Sequence, residues 1–262
     1  MARPFLRTSD LARAVGVHPN TVRRYVDWGL LPPVERTPSG YRLFTQHHLH
    51  CLRLARLIYI TAYPGRGLRQ SAIRVIQAAV TGDMQAALEE ANRHLALVQA
   101  EQHQADLAAT LLERWAPSEA DSAASSPEAT SNLEAAGSLL IGQAARLLDV
   151  TADMLRNWER NGLIAVPRDP HNGYRRYGPK EISRLRVIRV LGQAGYSHMA
   201  MLRMFRQLDR GEAGGLRHAL DTPTPDEADI LTATDQWLST LAEQEERARQ
   251  AVALIEEILE GS

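Results

Sequence analysis

A shift of 133 positions lays one part of this chain over another without a gap. The stretch LARAVGVHPNTVRRYVDWGLL, Leu11 to Leu31, falls on AARLLDVTADMLRNWERNGLI, Ala144 to Ile164. The same shift puts SGYRLF, Ser39 to Phe44, on NGYRRY, Asn172 to Tyr177. Matched pairs include Ala12/Ala145, Val17/Val150, Arg23/Arg156, Gly29/Gly162, Gly40/Gly173 and Arg42/Arg175. Apolar positions fall on apolar positions as far as Leu52/Leu185. An internal repeat of this length means two copies of one structural unit, and 262 residues suffice for two small domains with cores of their own.

Each copy carries the punctuation of two short helices and a hairpin. The first helix is expected to start at Thr8 as N-cap and to end in a turn at Gly16, or at Asp149 in the second copy. The second helix opens at His18-Pro19, where proline suits the first helical position, or behind Thr151 as cap, and stops at Gly29 or Gly162. Two helices joined this way form a helix-turn-helix. The turns at Pro38-Ser39-Gly40 and at His171-Asn172-Gly173, the latter with a strong Asn-Gly hairpin signal, then make a wing. Further helices are expected over 47–61, 69–80, 180–193 and 198–209, with YPGRG inserted in the first copy only.

Both copies end in a long helix. Met84, Leu88, Ala91, Leu95, Val98, Gln102, Ala105, Ala109 and Leu112 keep a 4–3 spacing, as do Ile230, Thr234, Trp237, Leu241, Gln244, Ala248, Ala251, Ile255 and Ile258. That is the seam of a two-helix coiled coil. The expected organisation is a first winged domain over 1–83, a long helix over 84–115, a flexible Ser-, Ala-, Glu- and Pro-rich linker over 116–138, a second winged domain over 139–217 and a second long helix over 226–260. The fold class is mainly α, with two small β wings.

The net charge of −1 hides a segregation. Residues 1–84 carry 12 arginines against four acids, a net +8; residues 139–217 carry a net +7, and the remainder −16. Clustered basic blocks are the footprint of a polyanion binder. The single cysteine, Cys51, excludes an internal disulfide and a four-cysteine zinc site, which suits a reducing cytoplasm. No signal-type or membrane-spanning apolar stretch is expected, hence no membrane partner. No nucleophile–base pair, phosphate loop or paired-carboxylate pattern stands out, so the chain reads as a non-enzyme without cofactor.

With these residues in view, VHPNTVRRYVDWGLL…SGYRLF and VTADMLRNWERNGLI…NGYRRY each resemble the N-terminal module of MerR-family (mercury-resistance-type) transcription regulators. The family pattern runs T-(L/I/V)-R-x-(Y/W)-E-x-x-G-L-(L/I), then a wing ending G-(Y/F)-R-x-Y. The first copy departs at Val26, where the second keeps the family glutamate as Glu159; the second departs at Met154, where the first has Thr21. Members of that family dimerise through an antiparallel coiled coil of the long helix. The resemblance therefore implies double-stranded DNA as partner, an intramolecular pseudo-dimer of two tandem modules, and RNA polymerase at a distorted promoter. Activation and repression both stay open, as does further dimerisation of the chain. A small-molecule effector is left unidentified; with the second long helix near the end at Ser262, it would need a cavity among the helices.

A recognition helix presents its early polar residues to base edges. In the first copy these are His18, Asn20, Thr21, Arg23 and Arg24, in the second Thr151, Asp153, Arg156 and Asn157. Arg and Asn suit guanine and adenine edges. The resemblance assigns Arg23 and Arg156 to the DNA face, with Tyr25 at the following aromatic position and Trp158 as its hydroxyl-free counterpart. Wing residues Arg42, Arg175 and Arg176 are expected against phosphates, and Tyr41 and Tyr174 either there or in the core. Because Asn20 matches Asp153 and Arg24 matches Asn157, the two modules are expected to read an imperfect inverted repeat. Two rival readings remain: an architectural or recombination-accessory DNA binder, and a protein-interaction module. HHLHC, His47 to Cys51, has metal-ligand residue types, but it aligns with the ordinary helix face at Lys180 to Arg184, so no metal site is expected.

Overall fold

The computed structural model describes residues 5–59, 66–124, 137–222 and 235–261, and divides the chain into two compact units. The first comprises residues 1–101 and 241–262, the second residues 102–240. No helix among the described residues is long and apolar enough to cross a membrane.

The first unit opens with α1 (Thr8–Ala14) and α2 (Pro19–Asp27), then β1 (Glu35–Arg36), β2 (Arg42–Leu43), α3 (Gln46–Ile58) and α4 (Arg66–Val80). Arg7, not Thr8, holds the cap position of α1: Leu6 is bridged to Phe44, which keeps the backbone extended through Arg7, and the Asp10 carboxylate accepts the Arg7 N–H at 2.9 Å. α2 starts as expected, with His18 Nδ1 accepting the Asn20 N–H at 3.2 Å and Pro19 in the first turn. It ends with Gly29 at φ +70° and the Leu30 N–H reaching back to the Tyr25 carbonyl at 2.9 Å, which only a left-handed residue permits. β1 and β2 pair antiparallel, Glu35 with Leu43 and Arg36 with Arg42, around Gly40 at φ +84°.

A long helix, α5 (Met84–Ala124), begins in this unit and continues into the other. Its Ala87 and Ala91 join Leu11, Val22, Phe44, Leu52 and Val75 in one core. Ala251 and Ile255 belong to the same core; they lie on α11 (Trp237–Glu260), at the far end of the chain. Within this unit α5 and α11 run antiparallel, since Ala87 and Ala91 share a core with Ala251 and Ile255 while Gln99 donates to Glu245 at 2.9 Å.

The second unit repeats the plan with α6 (Ile141–Leu148), α7 (Ala152–Arg160), α8 (Pro179–Gln193) and α9 (His198–Asp209). Thr151 caps α7 by accepting the Met154 N–H at 3.1 Å, and Gly162 at φ +76° ends it. The expected hairpin is reduced here to the bridges Leu139–Tyr177 and Arg168–Arg175. Asp169 diverts the turn: its carboxylate accepts the His171 N–H at 2.9 Å and the Arg176 guanidinium at 2.8 Å. A short helix, α10 (Leu216–Asp221), extends this domain past the expected end at 217. Arg203 secures it by donating to the Ala219 carbonyl at 3.1 Å. The second part of α5 closes this core: Trp115 Nε1 donates to Ser183 at 2.7 Å, and the Tyr196 hydroxyl to the Ala105 carbonyl at 3.1 Å.

The seam positions expected on the long helices are largely the buried ones. Ala91, Val98, Ala105, Ala109 and Leu112 are buried on α5, and Trp237, Leu241, Gln244, Ala248, Ala251 and Ile255 on α11. The buried face of α5 is wider than a 4–3 seam, because Ala87, His94 and Ala108 are buried as well. A helix that packs on a module as well as along a second helix needs that wider stripe. α5 runs to Ala124, so the start of the expected linker is helical; the rest, 125–136, and the seam positions Ile230 and Thr234 lie outside the described residues.

Candidate nucleic-acid interface

In each unit the recognition helix and the wing enclose a cleft, and the two clefts use corresponding positions. The first, about 600 Å³, is lined by Thr8, Ser9, Arg23, Tyr41 and Arg42. The second, about 810 Å³, is lined by Ile141, Gly142, Arg156, Tyr174 and Arg175, each 133 positions on. Helix arginine, wing tyrosine and wing arginine thus converge twice. Tyr41 is 74% exposed and Tyr174 65%, so neither pins its wing. Phe44 and Tyr177, both buried, do that. An exposed tyrosine between two guanidiniums, on a convex β turn beside a helix, offers a stacking face, a hydroxyl and two cations to a polyanion.

The remaining expected residues separate into three groups. His18 and Asn20 are exposed at the start of α2, Asn20 accepting from Arg23 Nη1 at 3.1 Å; Thr151 and Asp153 hold the same place on α7. Thr21 and Arg24 lie on another side of α2, with the Arg24 guanidinium over the Trp28 ring, 4.6 Å from its centroid. Asn157 accepts from Asn161 at 3.2 Å. Tyr25 and Trp158, expected at the DNA face, are largely buried, 7% and 6% exposed. Each lies three positions after a buried apolar residue, Val22 or Leu155, on the inward stripe of its helix. Arg176 donates to Asp169, whose carboxyl that guanidinium keeps below its ordinary range. Sequence reasoning missed Arg7 in the first cleft and Arg146 and Arg168 in the second.

The electrostatics of the two clefts differ. In the second, Arg156 pairs with Asp153 at 2.5 Å and Arg175 with Glu159 at 2.5 Å. In the first, the matching positions are Asn20 and Val26, which carry no charge. Among the described residues, Arg74–Glu90 is the only ion pair made by an arginine of the first basic block. The matched arginines of the second cleft, Arg156 and Arg175, are therefore neutralised, whereas Arg23 and Arg42 of the first, like Arg146 and Arg168 of the second, make no ion pair among the described residues.

Within the HHLHC stretch, Cys51 Sγ lies 3.7 Å from His47 Nε2. Cys51 is buried, donates to the Ala79 carbonyl at 3.6 Å, and its thiol is pushed up to about 12 by burial. His48 turns to Thr45 and toward the Pro33 carbonyl. Among the described residues no group of three or more His, Cys, Asp or Glu side chains is placed to hold a metal.

The comparisons with known proteins fall on the same two regions. The profile described as MerR family regulatory protein matches residues 7–44 and again 140–177, spans that are themselves 133 positions apart. The chain is 32% identical over 80 residues to the mercuric resistance operon regulatory protein of Serratia marcescens, covering 30% of this chain and 53% of that protein. It is 39% identical over 51 residues to the HTH-type transcriptional regulator CueR of Escherichia coli, covering 20% and 38%. The mercuric resistance operon regulatory protein of Bacillus cereus is 32% identical over 73 residues, covering 28% and 55%. The chain spans about half the length, or less, of the curated relatives it matches. No solved structure matches. Two MerR-family modules, each a helix-turn-helix with a wing, stand in tandem in this one chain.

Proposed function

We propose that the chain is a DNA-binding transcription regulator that reads an imperfect inverted repeat at a promoter with two non-identical modules and distorts the DNA between them. The observation that carries this reading is the repeated cleft, Arg23–Tyr41–Arg42 against Arg156–Tyr174–Arg175, at the two places where the family profile matches. The wing residues supply register on the backbone, and the exposed starts of α2 and α7 supply base readout. Those starts differ. Asn20 and Asp153 each accept from the arginine three positions on, but Asn20 keeps amide donors for an adenine edge whereas Asp153 offers only acceptors. Two half-sites of different sequence follow. RNA polymerase is the protein partner this reading implies, since holding two half-sites allows bending or untwisting of the promoter between them.

The test is selection of genomic fragments by the purified chain, followed by footprinting at moderate salt, where non-specific binding is suppressed. One asymmetric inverted repeat inside a promoter is expected. Diffuse enrichment with no motif would discard the regulator in favour of an architectural DNA binder.

A further inference from the structure

A second pocket opens in the first unit, along the side of α2 from Thr21 in its first turn to Trp28 at its C-terminal cap. It encloses about 330 Å³ and is lined by Thr21, Arg24, Tyr25, Trp28, Arg56, Tyr59 and Arg247. Three of its walls are aromatic. Tyr25 and Trp28 stack with ring centroids 5.9 Å apart, Tyr59 meets Tyr25 edge-on at 6.4 Å, and Tyr59 and Trp28 lie 6.2 Å apart. Trp28 is 48% exposed, so much of an indole faces solvent here. Three further walls are guanidiniums. Arg247 has Glu243 at 3.7 Å, whereas Arg24 and Arg56 have no carboxylate partner among the described residues. Three cations around one cavity repel each other and favour an anion between them, and the rings favour a flat π-system.

The internal repeat supplies a control within the same molecule. Shifting by 133 replaces Arg24 by Asn157, Trp28 by Asn161 and Tyr59 by Gly192. Arg56 becomes Arg189, which is paired with Asp149 at 3.3 Å. The second module folds to the same plan with one of the three rings, Trp158 at the Tyr25 position, and without the free cations. The cluster is thus no requirement of the winged fold.

We propose that this pocket binds a small planar aromatic anion, a ring system carrying a carboxylate or phosphate, with the ring against Trp28 and Tyr59 and the anionic group among Arg24, Arg56 and Arg247. Its regulatory consequence rests on the regulator reading above; the site itself does not. Because Trp28 and Arg24 belong to the recognition helix, an occupant biases the position of the surface that meets DNA, and DNA biases affinity for the occupant by the same factor.

The test is calorimetric titration of the DNA-free full chain with 2-naphthoate, its neutral amide 2-naphthamide, and inorganic phosphate. Saturable binding of naphthoate at one site per chain is expected, about tenfold or more tighter than the amide and than phosphate, as one charge-assisted contact and one stacked ring each supply. Trp28→Asn, which imports the second module's residue, and Arg56→Gln, at an exposed position outside the DNA clefts, should each weaken naphthoate binding about tenfold. Absence of saturable heat, equal binding of the amide, or indifference to both variants overturns the site. Phosphate binding as tight as naphthoate also overturns it, and makes the pocket a seat for the DNA backbone. Naphthoate binding without sequence-selective DNA binding leaves the site standing and removes the regulator; the converse removes only the site.

Discussion

Neutralisation of Arg175 by Glu159 makes a quantitative prediction about how the chain grips DNA. The affinity of a protein for duplex DNA falls with salt at a slope of about 0.9 per phosphate neutralised. Among the described residues Arg42 makes no ion pair, so it can displace a counterion. Arg175, with Glu159 at 2.5 Å, arrives with its charge balanced and displaces none until that pair is broken. Glu159→Gln should therefore steepen the salt slope by about 0.9, which over 50–200 mM salt amounts to about a 3.5-fold change in affinity. Val26→Glu, placing a carboxylate in the first module where the second has one, should flatten it by the same amount. Arg42→Ala should flatten it too, whereas the charge-balanced double change Glu159→Gln/Arg175→Ala should leave it near the starting value. Fluorescence anisotropy with a 30-base-pair duplex of arbitrary sequence suffices, because the backbone contribution needs no operator. A flat response to Glu159→Gln, together with an equal loss in the double variant and in Arg42→Ala, would refute the claim that the second cleft is neutralised.

Other perturbations test the packing. An added Cβ at Gly195, φ +93°, would sit 2.6 Å from Trp237 Nε1, so Gly195→Ala should destabilise the second unit by about 3 kcal/mol in denaturant melts. Ile255→Ala should cost the first unit about 2–5 kcal/mol although it lies far from that module in sequence, which Trp28 fluorescence during unfolding would read. Burial, with help from the Arg74 charge, lowers His94 from 6.5 to about 4, so the unfolded chain binds the extra proton between those values. Stability should then be complete above pH 6.5 and fall as pH drops toward 4, by up to ~1.4 kcal/mol per pH unit, and His94→Gln should remove that slope. Cys51 should resist thiol reagents in the native chain and react at once in denaturant.

The backbone punctuation of this protein was legible because it is local. His18 and Thr151 cap their helices, Gly29 and Gly162 end them, and Gly40 and Gly173 turn the wings, each for reasons contained in a few neighbouring residues. The roles of aromatic residues were harder to read. Tyr25 looked like a surface residue from its resemblance to a family position, yet it falls on the Val22 face of α2 and is buried. Tyr41 and Phe44 alternate oddly with the short β2, and only the Leu6–Phe44 bridge shows which one the core takes. The Arg24–Trp28–Tyr59 cluster was invisible because Tyr59 and Arg247 come from elements distant in sequence. The Glu159–Arg175 pair was half visible: the difference between Val26 and Glu159 was plain, but its partner lay across the wing.

The first unit is discontinuous, built from residues 1–101 and 241–262, and this bears on how the protein is made. Its core needs Ala251 and Ile255, which a ribosome adds long after Leu11 and Val22. Synthesis at about 5–20 residues per second leaves the N-terminal module waiting roughly ten to thirty seconds between the emergence of Ala91 and that of Ile255. Residues 102–240 are contiguous and meet no such delay. The module made first thus finishes folding last, and a chain broken off before α11 holds a first module whose apolar face is still uncovered.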